Sequence, residues 1–246
     1  MMHQQQRPTN SRNQITLRGS TKIIVEFFEY CINSLLFQRG LYAPEYFKMT
    51  KKYGLNMLVT NNPEVKGHMR EILKQVEAWL MACKVEKLIL AIKSKETMTV
   101  LERWQFDIHN TKDQSSHSTT TATSTDPFSR SLVGQDLTST STTTSAGETL
   151  SSSPKPKPEK TEKEIQTEIQ AILRQITASV SFLPMLDEKC TWTILCQTEK
   201  DAEVPATWSD ADPHLVHNAE QVKLRSFSTN LHKIDALVAY RLNDDI

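Results

Sequence analysis

Seven histidines and four cysteines are the residues in this chain best suited to metal or nucleophilic chemistry. Their spacing suits neither. His214 and His217 form an H-x-x-H pair, but no cysteine or acidic cluster with ligand spacing stands beside them. Loop histidines are the simpler reading. Asp107 and His109 fall in one alternating segment, are placed on opposite faces of that strand, and have no nucleophile motif near them. Cys31, Cys83, Cys190 and Cys196 make no C-x-x-C. The first two fall on apolar helix faces, and the last two share one face of a strand. They read as reduced packing cysteines of a cytosolic or nuclear protein. With six glycines and no Gly-rich loop, nothing cradles a phosphate. No nucleophile, base and orienter come together, so neither an enzyme nor a cofactor or metal is expected.

Charge gives two further leads. Lys155, Lys157, Lys160 and Lys163 form one basic cluster, interrupted by glutamates and without aromatic stacking partners, which speaks against direct nucleic-acid binding. Arg39 ends an apolar helix, and Glu102 shares a strand face with Val100, Trp104 and Phe106. A carboxylate on a packed face needs a partner. Either Arg39 supplies it, or Glu102 lies at a strand edge and reaches water.

The elements that must position these residues follow from periodicity. After a polar, Gln-rich stretch at 1–14, read as a disordered tail, a helix capped by Ser20 carries Ile24, Phe27, Phe28, Cys31, Leu35 and Leu36 at steps of three and four. Gly40 ends it. Two short strands flanking Tyr53-Gly54 predict a hairpin. Asn62 and Pro63 open a second helix with Val65, Met69, Ile72, Leu73, Val76, Leu80 and Cys83 on one side. Residues 87–92 and 100–108 predict two strands joined by a short polar link, hence antiparallel. A third helix opens with the capping box of Thr161 and Glu164, shows Ile165, Ile169, Ile172, Ile176 and Val180 as its seam, and ends at Pro184. Residues 191–198 predict a third main strand. Further extended segments lie at 222–231 and 236–242.

Between the second strand and the third helix the composition changes. Of the 43 residues from 111 to 153, 24 are Ser or Thr, and Pro154, Pro156 and Pro158 follow. Such a stretch buries too little apolar surface to offset its ordering entropy. Residues 111–159 are therefore predicted to be a disordered insert within one domain spanning 15–246. The result is an α+β fold: three helices packed on a mainly antiparallel sheet, with a β-rich C-terminal tail. Formal net charge is zero, from 29 basic and 29 acidic residues, so no global field draws in nucleic acid or an anionic membrane. No apolar run approaches the ~18 residues of a membrane span, and the N-terminus lacks an apolar signal core, which predicts an intracellular protein.

Several strings read together carry a resemblance. They are Ile15-Thr-Leu-Arg-Gly-Ser20, Phe37-Gln-Arg-Gly-Leu-Tyr42, Lys52-Tyr-Gly-Leu55, Leu101-Glu-Arg-Trp-Gln-Phe-Asp107, Arg174-Gln-Ile-Thr177 with Phe182-Leu-Pro184, and Val222-Lys-Leu-Arg-Ser-Phe227 before His232-Lys233. In this order they resemble the mitotic arrest deficient HORMA family of the spindle assembly checkpoint. The resemblance implies a HORMA fold whose tail, about 200–246, is a mobile safety belt. The belt would cover one sheet edge in an open state and pin a partner peptide, added as a strand, in a closed state. It also implies two partners: a coiled-coil kinetochore receptor and the activator subunit of the anaphase-promoting complex, which the protein inhibits. Localisation at the nucleus and kinetochore, and in the cytoplasm, goes with these. Arg174, Gln175 and Phe182 match the region through which open and closed copies dimerise. Their ordinary readings are a solvated helix residue for Arg174 and core for Phe182. Trp79 and, on the tail, Trp208, Phe227 and Tyr240 match positions near the partner site or belt, and ordinary packing is the alternative for each. Leu195 sits on the partner-side strand, which continues Cys196-Gln197 where the family tends to carry a larger aliphatic and an aromatic residue. Other HORMA branches, a translesion polymerase small subunit or a meiotic chromosome-axis protein, are the alternative. The Arg-Gln-Ile-Thr and Leu-Arg-Ser-Phe strings favour the checkpoint branch.

Overall fold

The structure, a computed structural model, describes residues 15–111 and 159–242. The expectations for 1–14 and for nearly all of 111–159 concern residues outside those described.

The chain forms α1 (Leu17–Gln38), a short 3-10 turn, β1 (Phe47–Lys52), β2 (Leu55–Thr60), α2 (Pro63–Met81), β3 (Val85–Ser94) and β4 (Val100–Asn110). After the long insert come α3 (Glu162–Ser179), β5 (Cys190–Thr198), β6 (Ala219–Lys223), β7 (Phe227–Ser228) and β8 (His232–Arg241). The main sheet runs β5-β3-β4-β8-β6, with β7 beside β8, and every pairing is antiparallel. β1 and β2 make a separate hairpin.

One face of the sheet meets the helices. Leu88, Leu90 and Ile92 of β3, Trp104, Phe106 and Ile108 of β4, and Ile234, Ala236 and Val238 of β8 are buried there against α1 and α3. Phe27, Phe28, Phe106 and Phe227 pack as one aromatic group, with the Phe27 and Phe227 rings 4.8 Å apart. Each such side chain contributes about 1.5–3 kcal/mol by burial. α1 is buried along most of its length because helices and sheet surround it.

Local signals explain the element ends. The hairpin turns at Tyr53 and Gly54, both with positive φ (50° and 68°), as a two-residue turn of right-handed twist requires. A side chain at Gly54 would place its Cβ 2.8 Å from Gln170 Nε2, which donates to the Tyr53 carbonyl. Gly40, at φ 64°, follows α1 as expected. Asn62 caps α2 through bonds from the Glu64 and Val65 amides, and Thr161 and Glu164 complete the capping box of α3.

Four expectations are corrected. α1 begins at Leu17, capped by Thr16, whose hydroxyl accepts from the Gly19 amide at 3.1 Å. Ser20 lies inside the helix, with its hydroxyl bonded to Thr229 and His232 of the tail. Cys83 lies beyond the C-cap Ala82 of α2, at φ 55°. α3 ends at Ser179, and turns intervene before Pro184. Asp107 and His109 share a face, as strand alternation demands, and Asp235 lies opposite Asp107. His109 Nε2 is 3.2 Å from Asp235 Oδ2 on this outer face.

Candidate functional site

The sheet ends asymmetrically. On one side β6 and β7 cover β8; on the other, β5 pairs only with β3 among the described strands. The outer edge of β5 therefore carries backbone donors and acceptors without a strand partner, the feature that β-addition uses. Ile194 points to the core, while Leu195 lies opposite Ile89 on the other face and is half-buried. Cys196 follows on the inward side, and burial pushes its thiol up to about 12.

The chain that leaves β5 does not turn back to cover this edge. Glu199 donates its amide to the Lys84 carbonyl, and Lys84 Nζ holds Glu199 and Asp201 at 2.7 and 2.8 Å. Those carboxylate bonds raise the Lys84 pKa. Trp79, at the end of α2, donates its indole N–H to the Glu203 carbonyl at 2.9 Å. Trp208 then packs edge-on against Trp79, with ring centroids 4.9 Å apart. Further on, Arg103 of β4 donates to the Pro213 carbonyl at 3.2 Å, and His214 Nε2 is 3.2 Å from Lys93 Nζ of β3. The tail has by then crossed the sheet. It finishes as β8, seated on β4 through nine paired residues, with β6 outside it.

The expected site residues fall into three groups. Trp79 and Trp208 meet at the start of the tail, and Leu195 lies on the β5 strand beside it. Phe227 and Tyr240 lie on the tail's strands, separated from β5 by β3 and β4, with Phe227 in the core and Tyr240 nearly buried. Arg174 is exposed on α3. Gln175 Oε1 accepts from the Arg225 amide of the tail at 2.6 Å, and Phe182, 43% exposed, lies 6.2 Å from the Tyr240 ring. Gln175 on α3 and Phe182 just past its end thus touch the tail directly, while Arg174 stays exposed.

Arg39 and Glu102 form a buried ion pair. Arg39 Nη2 also donates to the Pro184 carbonyl at 2.5 Å, and Trp104 Nε1 donates to Glu102 Oε2 at 3.1 Å. Burial raises the Glu102 pKa, against the opposing pull of Arg39 and Trp104. Glu102 lies opposite Tyr240 in the β4–β8 register, so the pair joins α1, β4 and the link after α3 beside the seated tail.

Sequence reasoning missed two groups. Ser20, Thr229 and His232 form a buried hydrogen-bonded cluster between α1 and the tail. Trp192 of β5 donates to the Tyr42 hydroxyl at 2.9 Å and packs on His68. His232 held a readable signal, since it shares the inward parity of Ile234 and Val238. Among the described residues no cluster of three or more His, Cys, Asp or Glu is placed to hold a metal, and no helix is long and apolar enough to cross a membrane.

Three helices on an antiparallel sheet, crossed by their own C-terminal segment, define a HORMA domain, and the HORMA domain family model matches residues 20–232. The mitotic spindle checkpoint component mad2 of Schizosaccharomyces pombe is 44% identical over 234 residues, 94% of this chain and 97% of that protein. The mitotic spindle assembly checkpoint protein MAD2A of Homo sapiens is 40% identical, over 94% and 96% of the two chains. A chain of the crystal structure of the mitotic checkpoint complex matches with TM-score 0.68 and 42% identity, over 91% of this chain and 99% of that one. The chain belongs to the HORMA-domain family, in its mitotic spindle checkpoint branch.

Proposed function

We propose that this checkpoint protein works as a conformationally switched adaptor without catalysis, capturing a partner peptide as an added strand on the outer edge of β5. The observation that carries the reading is the pairing asymmetry: β5 keeps an unpaired edge while the tail that leaves it is seated on β4. This pairing supports the closed state as the one in which the tail is seated here. A peptide on that edge gains main-chain hydrogen bonds, and residues 199–218, held at Trp79 and again at Arg103, pass around it and slow its escape.

The partners are a coiled-coil kinetochore receptor and the activator subunit of the anaphase-promoting complex, whose inhibition is the output. Self-association of open and closed copies runs through α3 by way of Arg174, Gln175 and Phe182. Contact of Gln175 and Phe182 with the tail supports this reading, because it lets the α3 surface differ with tail position. The protein acts in the nucleus, at kinetochores and in the cytoplasm.

Removal of residues from Ala236 onward tests the mechanism. It deletes Val238 and Tyr240 from the core and leaves residues 102–106 of β4 without their β8 partners. The shortened chain is expected to keep its helical circular dichroism and to lose slow peptide release, read by fluorescence anisotropy with peptides from the two partners. A folded, shortened chain that holds either peptide as long as the full chain does would remove the belt from the mechanism.

A further inference from the structure

The two ends of the long Ser/Thr segment meet at one residue of the tail. Thr111, on the near side, donates its amide to the Leu231 carbonyl at 2.9 Å and its hydroxyl to the Asn230 carbonyl at 2.9 Å. Lys160, on the far side, donates its amide to Asn230 Oδ1 at 2.8 Å, while Asn230 Nδ2 lies 3.5 Å from the Lys160 carbonyl. The Lys160 ammonium reaches Ser228 Oγ at 2.7 Å and pairs with the Glu168 carboxylate. The other Glu168 oxygen accepts the Ser228 amide at 3.0 Å. A closed circuit of polar contacts thus joins residues 228–231 of the tail to both roots of the insert and to α3.

Its position gives the circuit leverage. Residues 229–231 are the turn between β7 and β8, and they lie just past Asn110↔His232, where the β4–β8 ladder ends. Ladders open from their ends, where each bond has a neighbour on one side only. Within the turn itself, Thr229 Oγ1 accepts the Leu231 and His232 amides, which shapes the turn but does not attach it to the rest of the fold. Attachment comes from Thr111, Lys160, Glu168 and Ser20.

We propose that Asn230 is a latch that couples the insert to the tail: the tail turn stays seated while residues 111 and 160 are held together, and drawing them apart unseats it. Coupling of this kind is reciprocal, so lifting the turn also frees the roots. The length of chain between the roots has little part in it, because the loop is closed at residues 111 and 160, and loop-closure entropy changes slowly with length. The insert therefore acts on the tail through the spacing of its roots. The latch does not depend on which peptide β5 holds.

Native-state hydrogen exchange on the full chain tests this. Two amides report on seating without bonding to the Asn230 side chain: Ser228, which donates to Glu168, and Thr111, which donates to the Leu231 carbonyl. Asn230→Ala is expected to speed their exchange on the order of ten-fold, the loss of one or two hydrogen bonds, and to leave amides in the middle of α1 unchanged. Thr111→Val keeps the shape and removes only the hydroxyl bond, so a smaller acceleration at the same amides is expected. Replacement of residues 113–157 by a Gly/Ser linker of about ten residues keeps both roots, and wild-type rates are expected. Unchanged rates in both point variants would overturn the latch. So would equal acceleration in α1, or a linker chain as fast as Asn230→Ala. Failure of the wild-type chain to bind any peptide at β5 would instead remove the adaptor reading and leave the exchange result standing.

Discussion

Ser20 Oγ lies 2.7 Å from His232 Nδ1, which ties the first turns of α1 to the first residue of β8 across 212 positions. Thr229 Oγ1 lies 2.6 Å from the same serine oxygen. All three side chains are buried. Burial pulls the pKa of His232 down from 6.5 to about 4, so the folded protein holds this imidazole neutral.

The pH dependence of stability follows from that depression. Below pH 6.5 the unfolded chain takes up a proton that the fold refuses. The contribution is complete above pH 6.5 and falls by about 1.4 kcal/mol per pH unit until about pH 4, roughly 3 kcal/mol in all. Urea unfolding of wild type and His232→Gln across this range is the measurement. The variant should show the shallower slope; parallel slopes would mean that His232 does not titrate as described.

Trp208→Ala removes the ring that covers Trp79 and loosens the start of the tail. An aromatic pair adds about 0.5–1.5 kcal/mol beyond its buried area. Release of a labelled partner peptide should therefore accelerate by about ten-fold in stopped-flow chase experiments, with little change in the thermal midpoint of the free protein. Release at the wild-type rate would show that the Trp79–Trp208 contact does not hold the tail.

Arg174→Ala is expected to give a folded monomer by analytical ultracentrifugation that binds partner peptide with unchanged affinity. Arg174 is exposed and carries a planar, multidentate donor that alanine cannot replace. A dimer of undiminished affinity would place self-association on another surface.

Arg39→Ala leaves Glu102 buried without its partner and should cost about 3–5 kcal/mol in urea unfolding. The double change Arg39→Met with Glu102→Leu should recover most of that loss, because two apolar side chains need no charge compensation. A double variant as unstable as the single one would assign the loss to packing or to the Pro184 bond rather than to the charge.

How far the sequence could be read depended on the range of the interaction. The β1–β2 hairpin, the Asn62 cap and the capping box at Thr161 and Glu164 were legible because each rests on residues a few positions apart. The need of Glu102 for a partner was legible because a carboxylate stands on an apolar face, and the structure resolves the two readings in favour of Arg39. Ser20 was misread as a cap because its true partners, Thr229 and His232, are remote in sequence. Alternation at Val238 and Tyr240 gave the face of β8 but not its neighbour, since period two says nothing of which strand lies alongside. The bond from Gln175 to the Arg225 amide had no local signal at all.

The position of β8 bears on how the protein is made. It is an inner strand of the sheet, between β4 and β6, yet it is translated after every strand it touches. While the ribosome is still synthesising residues 232–241, the inward face of β4 lacks the cover of Ile234, Ala236 and Val238, and its edge is open to any passing strand. Sheet closure must therefore wait until β8 has been made, through contacts far apart in sequence that form slowly. The step that completes this sheet is the seating of the tail.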